Sequence, residues 1–241
     1  MTRLDHLLSL LAFGSRTQVK MIIHQGRVQV DGRTALDPGL PISTQNQVSV
    51  DGQALDTRLE RHLMMNKPLG VLTAARDAKQ KTVLDLLPDV MRSLECMPIG
   101  RLDKDTQGLL LFTTDGQAAH RLLSPKAKVA KVYQARVEGQ LTQADIRRFQ
   151  RGISLSDFDA LPAELLILQA KEAESLAQVT VCEGKFHQVR RMFGACGHEV
   201  LALERLSFGA LTLDPALAPS QWRELSAQEW QQLTQGALID G

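Results

Sequence analysis

In the stretch GRLDKDTQGLLLFTTDG, Gly100 to Gly116, two carboxylates and an arginine stand directly before an unbroken apolar run. The run Leu109 to Phe112 is short and is bounded by Gly108 and by TTDG, so it fits a strand covered on both faces better than a helix. Asp103 and Asp105 therefore fall at the mouth of a buried strand. A D-K-D string is most often a solvated turn, and only the surrounding segments can decide between a surface loop and a site.

Downstream, strand-like runs recur at VYQARVEG, AELLILQ, AQVTVCEG and EVLALERLSFG. Helix-like stretches fall near Thr82 to Leu87, Gln117 to Leu123, Thr142 to Gln150, His187 to Cys196 and Ala227 to Leu233. Upstream, HLMMNKPLGVL reads as a strand that Pro68 must end or confine to an edge. Strands dominate and the connections are irregular, which predicts an α+β fold with a mainly antiparallel mixed sheet and flanking helices. A doubly wound parallel fold would alternate more regularly.

The N-terminal region has a different grain. Leu4, Leu7, Leu8 and Leu11 have helical spacing, Gly14 breaks it, and Ser15 is placed to cap a second helix that runs to about Gln25. Gly26 suits the helix exit, and V-Q-V-D-G and V-S-V-D-G each read as a short strand ending in a turn. Arg16, Lys20 and His24 recur every four residues beside Arg27, a stripe suited to a phosphate backbone or simply to a solvated helix face. The polar string QALDTRLER reads as a linker, so the expected division is residues 1–57, a linker at 58–62 and a larger domain at 63–241.

Composition narrows the class. With 241 residues, 44% of them hydrophobic, the chain can bury a large core beside a small domain, and its apolar runs are too short to cross a bilayer. No apolar leader with a cleavage site opens the chain, and Cys96, Cys182 and Cys196 have no C-x-x-C spacing. A cytoplasmic protein without a disulfide frame or zinc site is expected. The net charge of +1 hides a basic segment, because Gln117 to Arg151 holds eight basic residues against Glu138 and Asp145.

The segment RLDHLLSLLAFGSRTQVKMIIHQGRVQVDG resembles the S4 RNA-binding domain, a small helix-helix-strand module. Four further strings, MMNKPLGVL, GRLDKDTQGLLLFTTDG, SPKAKVAKVY and EGKFHQVRRMF, resemble in order and spacing the RsuA branch of the ribosomal RNA pseudouridine synthases. The resemblance implies that a uridine is flipped out of folded RNA, its base detached, rotated and rejoined through carbon, with no cofactor or metal. It assigns Asp103 as nucleophile, Arg190 as the cation paired with it, Tyr133 as the aromatic against the base and Arg101 as the residue filling the vacated gap. In an RNA-binding S4 module, the basic stripe makes Arg16, Lys20 and Arg27 the expected RNA contacts.

The implied partner is ribosomal RNA, taken up by a monomer as small-subunit RNA or as its assembly intermediate. The strings VTVCEGKFHQVRRMF and LDPALAPSQWREL are most similar to enzymes acting on 16S RNA, with a 23S target as the alternative. Softer signals stay open. Asp105 is a backbone or Arg101 acceptor, or half of a paired-carboxylate or metal site; His187 is a general acid or a structural hydrogen-bond partner. Asn66 and Lys67 would shape the pocket rim, Thr106-Gln107-Gly108 reads as a turn, and Lys126, Lys128 and Lys131 meet phosphate or solvent. Two other classes remain: a non-catalytic RNA-binding assembly factor, and a carboxylate-pair glycosidase, for which Trp222 and Trp230 would have to serve as sugar platforms.

Overall fold

A computed structural model describes residues 1–236 as two compact units. The first comprises Met1–Arg61 with Leu87–Cys96, and the second His62–Leu86 with the chain from Met97 onward.

In the first unit, α1 (Leu4–Leu10) turns Leu4, Leu7 and Leu8 inward. α2 (Arg16–His24) opens on a capping box in which Ser15 Oγ accepts from the Gln18 N–H and Gln18 Oε1 accepts from the Ser15 N–H at 2.8 Å. β1 (Val28–Val30) pairs antiparallel with β2 (Val48–Val50). Each then turns through a two-residue Asp-Gly loop with both residues at positive φ, Asp31 +50° and Gly32 +76°, Asp51 +51° and Gly52 +80°. This is the type I′ geometry for which Asp-Gly is suited.

The string Gln53 to Arg61, expected to be a linker, is built into this unit instead. Leu55 and Leu59 pack against the core of Leu4, Leu8, Ile23 and Val48, and buried Arg61 donates to Asp56 and to the Arg58 carbonyl. Two isolated leucines among polar residues give no readable period, which is why the packing was not visible in sequence. The short helix α3 (Asp89–Ser93), also missed there, adds Val90 to the same core.

The second unit is organised on a sheet of nine strands. Its main path runs through β3 (His62–Lys67), β4 (Gln107–Thr113), β5 (Lys131–Glu138), β6 (Glu164–Ala170), β7 (Glu174–Val181), β8 (Val200–Phe208) and β9 (Trp222–Glu224), in the spatial order β6-β7-β5-β8-β4-β3-β9. All pairings on this path are antiparallel except β8 with β4, where Glu204 lies beside Gln107 and Arg205 beside Gly108. Every residue of β4 after Gln107 is buried, as the two-face reading of LLLF requires. β3 ends at Lys67, immediately before Pro68.

α4 (Gly116–Leu123) starts on Asp115, whose carboxylate accepts from the Ala118 N–H at 2.9 Å. It shares a core with Met64, Leu109, Leu111, Phe208 and Leu233, the last from α7 (Ala227–Gly236). α5 (Gln143–Arg151) and α6 (Gln188–Ala195) serve a second core, where Phe149 and Phe193 lie 4.9 Å apart among Ala135, Val137 and Val179. Gly108, at φ +103°, fills the parallel junction: a Cβ there would stand 2.4 Å from the Arg205 carbonyl oxygen. No other residue type fits without moving a strand.

Candidate active site

The loop that leads into β4 is tied down along its backbone. The Leu102 carbonyl accepts from Thr73 Oγ1 at 2.8 Å, and the Lys104 carbonyl accepts from the Gly70 N–H at 2.8 Å. Lys67 Nζ donates to the carbonyls of Pro68, Asp103 and Thr106 at 3.0, 3.1 and 2.9 Å, so all three ammonium donors are used. The turn spans Asp103 to Thr106, whose N–H donates to the Asp103 carbonyl at 3.1 Å, and Gln107 and Gly108 already belong to β4. The expected turn at Thr106-Gln107-Gly108 is therefore displaced toward the carboxylates.

Lys67 is 0% exposed and lies beneath the loop rather than at a rim. Burial pushes its amine down to about 8, against the opposing pull of Asp103 and Asp105. Asn66 is also away from the rim: its side-chain amide donates to the Leu217 carbonyl at 2.9 Å, holding the segment before β9.

With its backbone held, Asp103 lines an open cleft together with Arg101, Tyr133, Glu183, Lys185 and His187. Tyr133 sits half-buried on β5 where the register against β8 shifts between Val132 and Tyr133, an irregularity of the kind that re-aims a side chain. Asp103 Oδ1 is 3.5 Å from His187 Nε2. His187 holds a left-handed backbone at φ +48° just before α6, and its ring stacks on that of Phe186. Gln188 closes this loop, donating to Glu183 Oε1 at 2.7 Å and accepting from the Lys185 N–H at 3.1 Å.

Arg190 does not take the expected partner. Its Nη2 lies 3.1 Å from Asp105 Oδ2 and 2.9 Å from the Asp105 carbonyl, while Nη1 donates to the Val200 carbonyl at 3.0 Å. Anchored at Val200, the guanidinium reaches the outer side of the turn, where the Asp105 carboxylate is 63% exposed. Asp105 therefore pairs with Arg190 and not with Arg101. Among the described residues no group of His, Cys, Asp and Glu is arranged to hold a metal ion.

Lys131, expected at a phosphate or in solvent, is buried. Its amine donates to the Val129 carbonyl at 2.6 Å, lies 5.2 Å from the centre of the Phe208 ring, and is pushed down to about 8 by burial. Lys126 and Lys128 are exposed. Arg205, which no sequence signal marked, is buried beside Phe208 with its Nε donating to the Leu109 carbonyl at 2.7 Å. On α2 of the first unit, Arg16, Lys20 and His24 are exposed. Arg27 is exposed too, but it holds the Asp51 carboxylate in two-point contact, which keeps that acid below its ordinary range.

The arrangement is a nine-stranded mixed sheet with an aspartate at the entrance of β4, an aromatic on β5 one strand beyond its neighbour β8, and a separate helix-helix-strand unit, and the comparisons place it in an RNA-modifying class. Residues 61–195 match the family model described as RNA pseudouridylate synthase, and residues 2–48 match the S4 domain. The chain belongs to the RNA pseudouridylate synthase family. It is 45% identical to the Bacillus subtilis protein named "Uncharacterized RNA pseudouridine synthase YtzG", over 94% of this chain and 96% of the relative. It is 37% identical to "Ribosomal large subunit pseudouridine synthase B" of Bacillus subtilis, over 100% of this chain and 98% of the relative. At 37% identity it also matches "Ribosomal small subunit pseudouridine synthase A" of Pseudomonas aeruginosa, over 94% of this chain and 98% of the relative. A crystal structure of a pseudouridylate synthase, 29% identical, superposes with a TM-score of 0.67 over 97% of this chain and 100% of the other.

Proposed function

We propose that the chain isomerises a uridine of 16S ribosomal RNA to pseudouridine with Asp103 as nucleophile. The observation that carries this reading is the Asp103 carboxylate itself: it lines the cleft with a pinned backbone beside Tyr133 and Arg101, and no arginine among the described residues bonds to it. A carboxylate can form a bond to the anomeric carbon or to the uracil ring and then leave again. Both routes release the base from its N1 attachment, let it rotate, bond C5 to the ribose and discard the C5 proton. Tyr133 offers a flat face to the uracil, with its hydroxyl assigned to that proton. Arg101, exposed at the cleft, fills the gap left by the flipped nucleotide. Arg190 acts on the reaction through Asp105, by fixing the outer side of the turn.

The isomerisation is internally balanced and calls for no cofactor. Exposed Arg16 and Lys20 in the S4 region supply phosphate contacts, and Arg27 contributes with part of its charge already spent on Asp51. In this reading the enzyme works in the cytoplasm as a monomer, a compartment suited to its three free cysteines. A 23S target is the second reading, favoured by the large-subunit relative matched over the full chain.

The deciding experiment is pseudouridine mapping of both ribosomal RNAs from cells lacking the protein, complemented with wild type or Asp103→Asn. A single 16S mark that vanishes, returns with wild type and stays absent with the variant supports the full reading. A 23S mark with the same behaviour moves the target, and a mark restored by the variant removes Asp103 as nucleophile.

A further inference from the structure

Beside the cleft, stacked on its lining residue His187, stands a second aromatic that the reaction does not use. Phe186 is 73% exposed, whereas the next most exposed phenylalanine, Phe13, is at 36% and Phe112, Phe149, Phe193 and Phe208 are buried. Its ring lies 3.9 Å from that of His187 at an interplanar angle of 17°, so one face is backed by a second ring while most of the side chain meets solvent. His187 adopts the left-handed conformation that a non-glycine residue rarely takes, and it is this residue whose Nε2 stands 3.5 Å from Asp103. Strain of that kind tends to persist where function holds it.

We propose that the Phe186–His187 pair is a second base-binding subsite, on which an unpaired nucleobase next to the target uridine stacks. An aromatic plate beside the nucleophile is within one nucleotide of the reacting base, and a π-face accepts any base without reading its hydrogen-bonding edge. Unpaired bases splayed from folded RNA are the chemical class that such a plate recognises. Backing by His187 fixes the plate before RNA arrives, which reduces the ordering cost of binding. Lys185, lining the same cleft, supplies positive charge for the adjoining phosphate.

The inference rests on the Asp103 cleft being the reaction centre, and the test separates the two. Wild type and the variants Phe186→Ala, Phe186→Leu, Phe186→Trp and Asp103→Asn are assayed for tritium release from synthetic stem-loops of the modified ribosomal RNA, labelled at uracil C5. Removing the ring in the Ala and Leu variants is expected to raise KM about tenfold with kcat nearly unchanged, while Trp keeps the wild-type KM. Deleting one base beside the target, as an abasic nucleotide, should abolish the difference between wild type and the Ala variant. An Ala variant with wild-type KM, a Leu variant matching Trp, or a deficit that survives every abasic substitution overturns the subsite. Tritium release by Asp103→Asn overturns the reaction centre instead, which the KM comparison at Phe186 does not read.

Discussion

On one side of the cleft the Asp103 loop hangs from buried groups, the Lys67 ammonium under three carbonyls and the Thr73 hydroxyl on Leu102. On the other, the Glu183–His187 loop is held by the Gln188 side chain and by the Leu161 N–H on Glu183, and it offers two stacked rings to solvent. In the proposed reaction the first arrangement fixes the attacking carboxylate, which must be held within a fraction of an ångström. The second leaves apolar surface unburied, which only a partner can cover. On the proposed reading, chemistry and recognition are held by different kinds of bonding on the two sides.

The largest expected effect tests the fixed side directly. Asp103→Asn should cut tritium release by at least about 10⁴-fold, with RNA affinity measured by filter binding nearly unchanged. Lys67→Met should come next, lowering kcat about 100-fold through misplacement of the loop while KM stays close to wild type. The amine adds a pH signature. Its folded value of about 8 lies below the ordinary 10.5, so between those values the unfolded chain binds more protons and this group makes folding more favourable as pH rises. Over the same range a neutral amine has too few donors for its three carbonyls, so kcat should fall above about pH 8 while the Tm contribution of this group increases. Rate profiles and thermal scans on wild type and Lys67→Met check both, and an alkaline limb that survives the substitution would detach it from Lys67.

A smaller effect belongs to the recognition side, where the tenfold rise in KM at Phe186 should leave kcat alone. The smallest concerns Arg190. If it acts only through the exposed pair with Asp105, Asp105→Asn and Arg190→Ala should each lower kcat about fivefold, and the double variant should be no worse than either single one. Collapse of Arg190→Ala to the Asp103→Asn level, with Asp105→Asn near wild type, would mean that the guanidinium serves Asp103 in the reacting state, as the sequence led us to expect.

Local features of the fold were legible because their causes are local. The LLLF run declares a strand buried on both faces, Ser15 and Gln18 declare a capped helix, and each Asp-Gly pair declares its own turn. The α+β class and the mainly antiparallel sheet followed from the order of such segments. What stayed hidden depends on partners far along the chain. Lys67 meets Asp103 across 36 positions, Arg190 meets Asp105 across 85, and Arg205 meets Leu109 across 96. A lysine beside a proline looks the same in sequence whether it points to water or sits beneath the Asp103 loop, and Lys131 at the start of the tyrosine strand misled for the same reason. Of the residues the sequence singled out, Arg101, Asp103 and Tyr133 line one cleft, and the pairing of Arg190 was not legible.

Gly108 shows what this wiring means for the tolerance of the chain to change. It touches no substrate, yet it faces Lys67 on β3 and Arg205 on β8, and a single added methyl would meet the Arg205 backbone. Any replacement wedges the parallel junction apart and delivers the displacement to the lysine that carries the Asp103 loop. A position several residues from Asp103 is thereby closed to substitution on steric grounds alone, a constraint that the residues lining the cleft do not reveal.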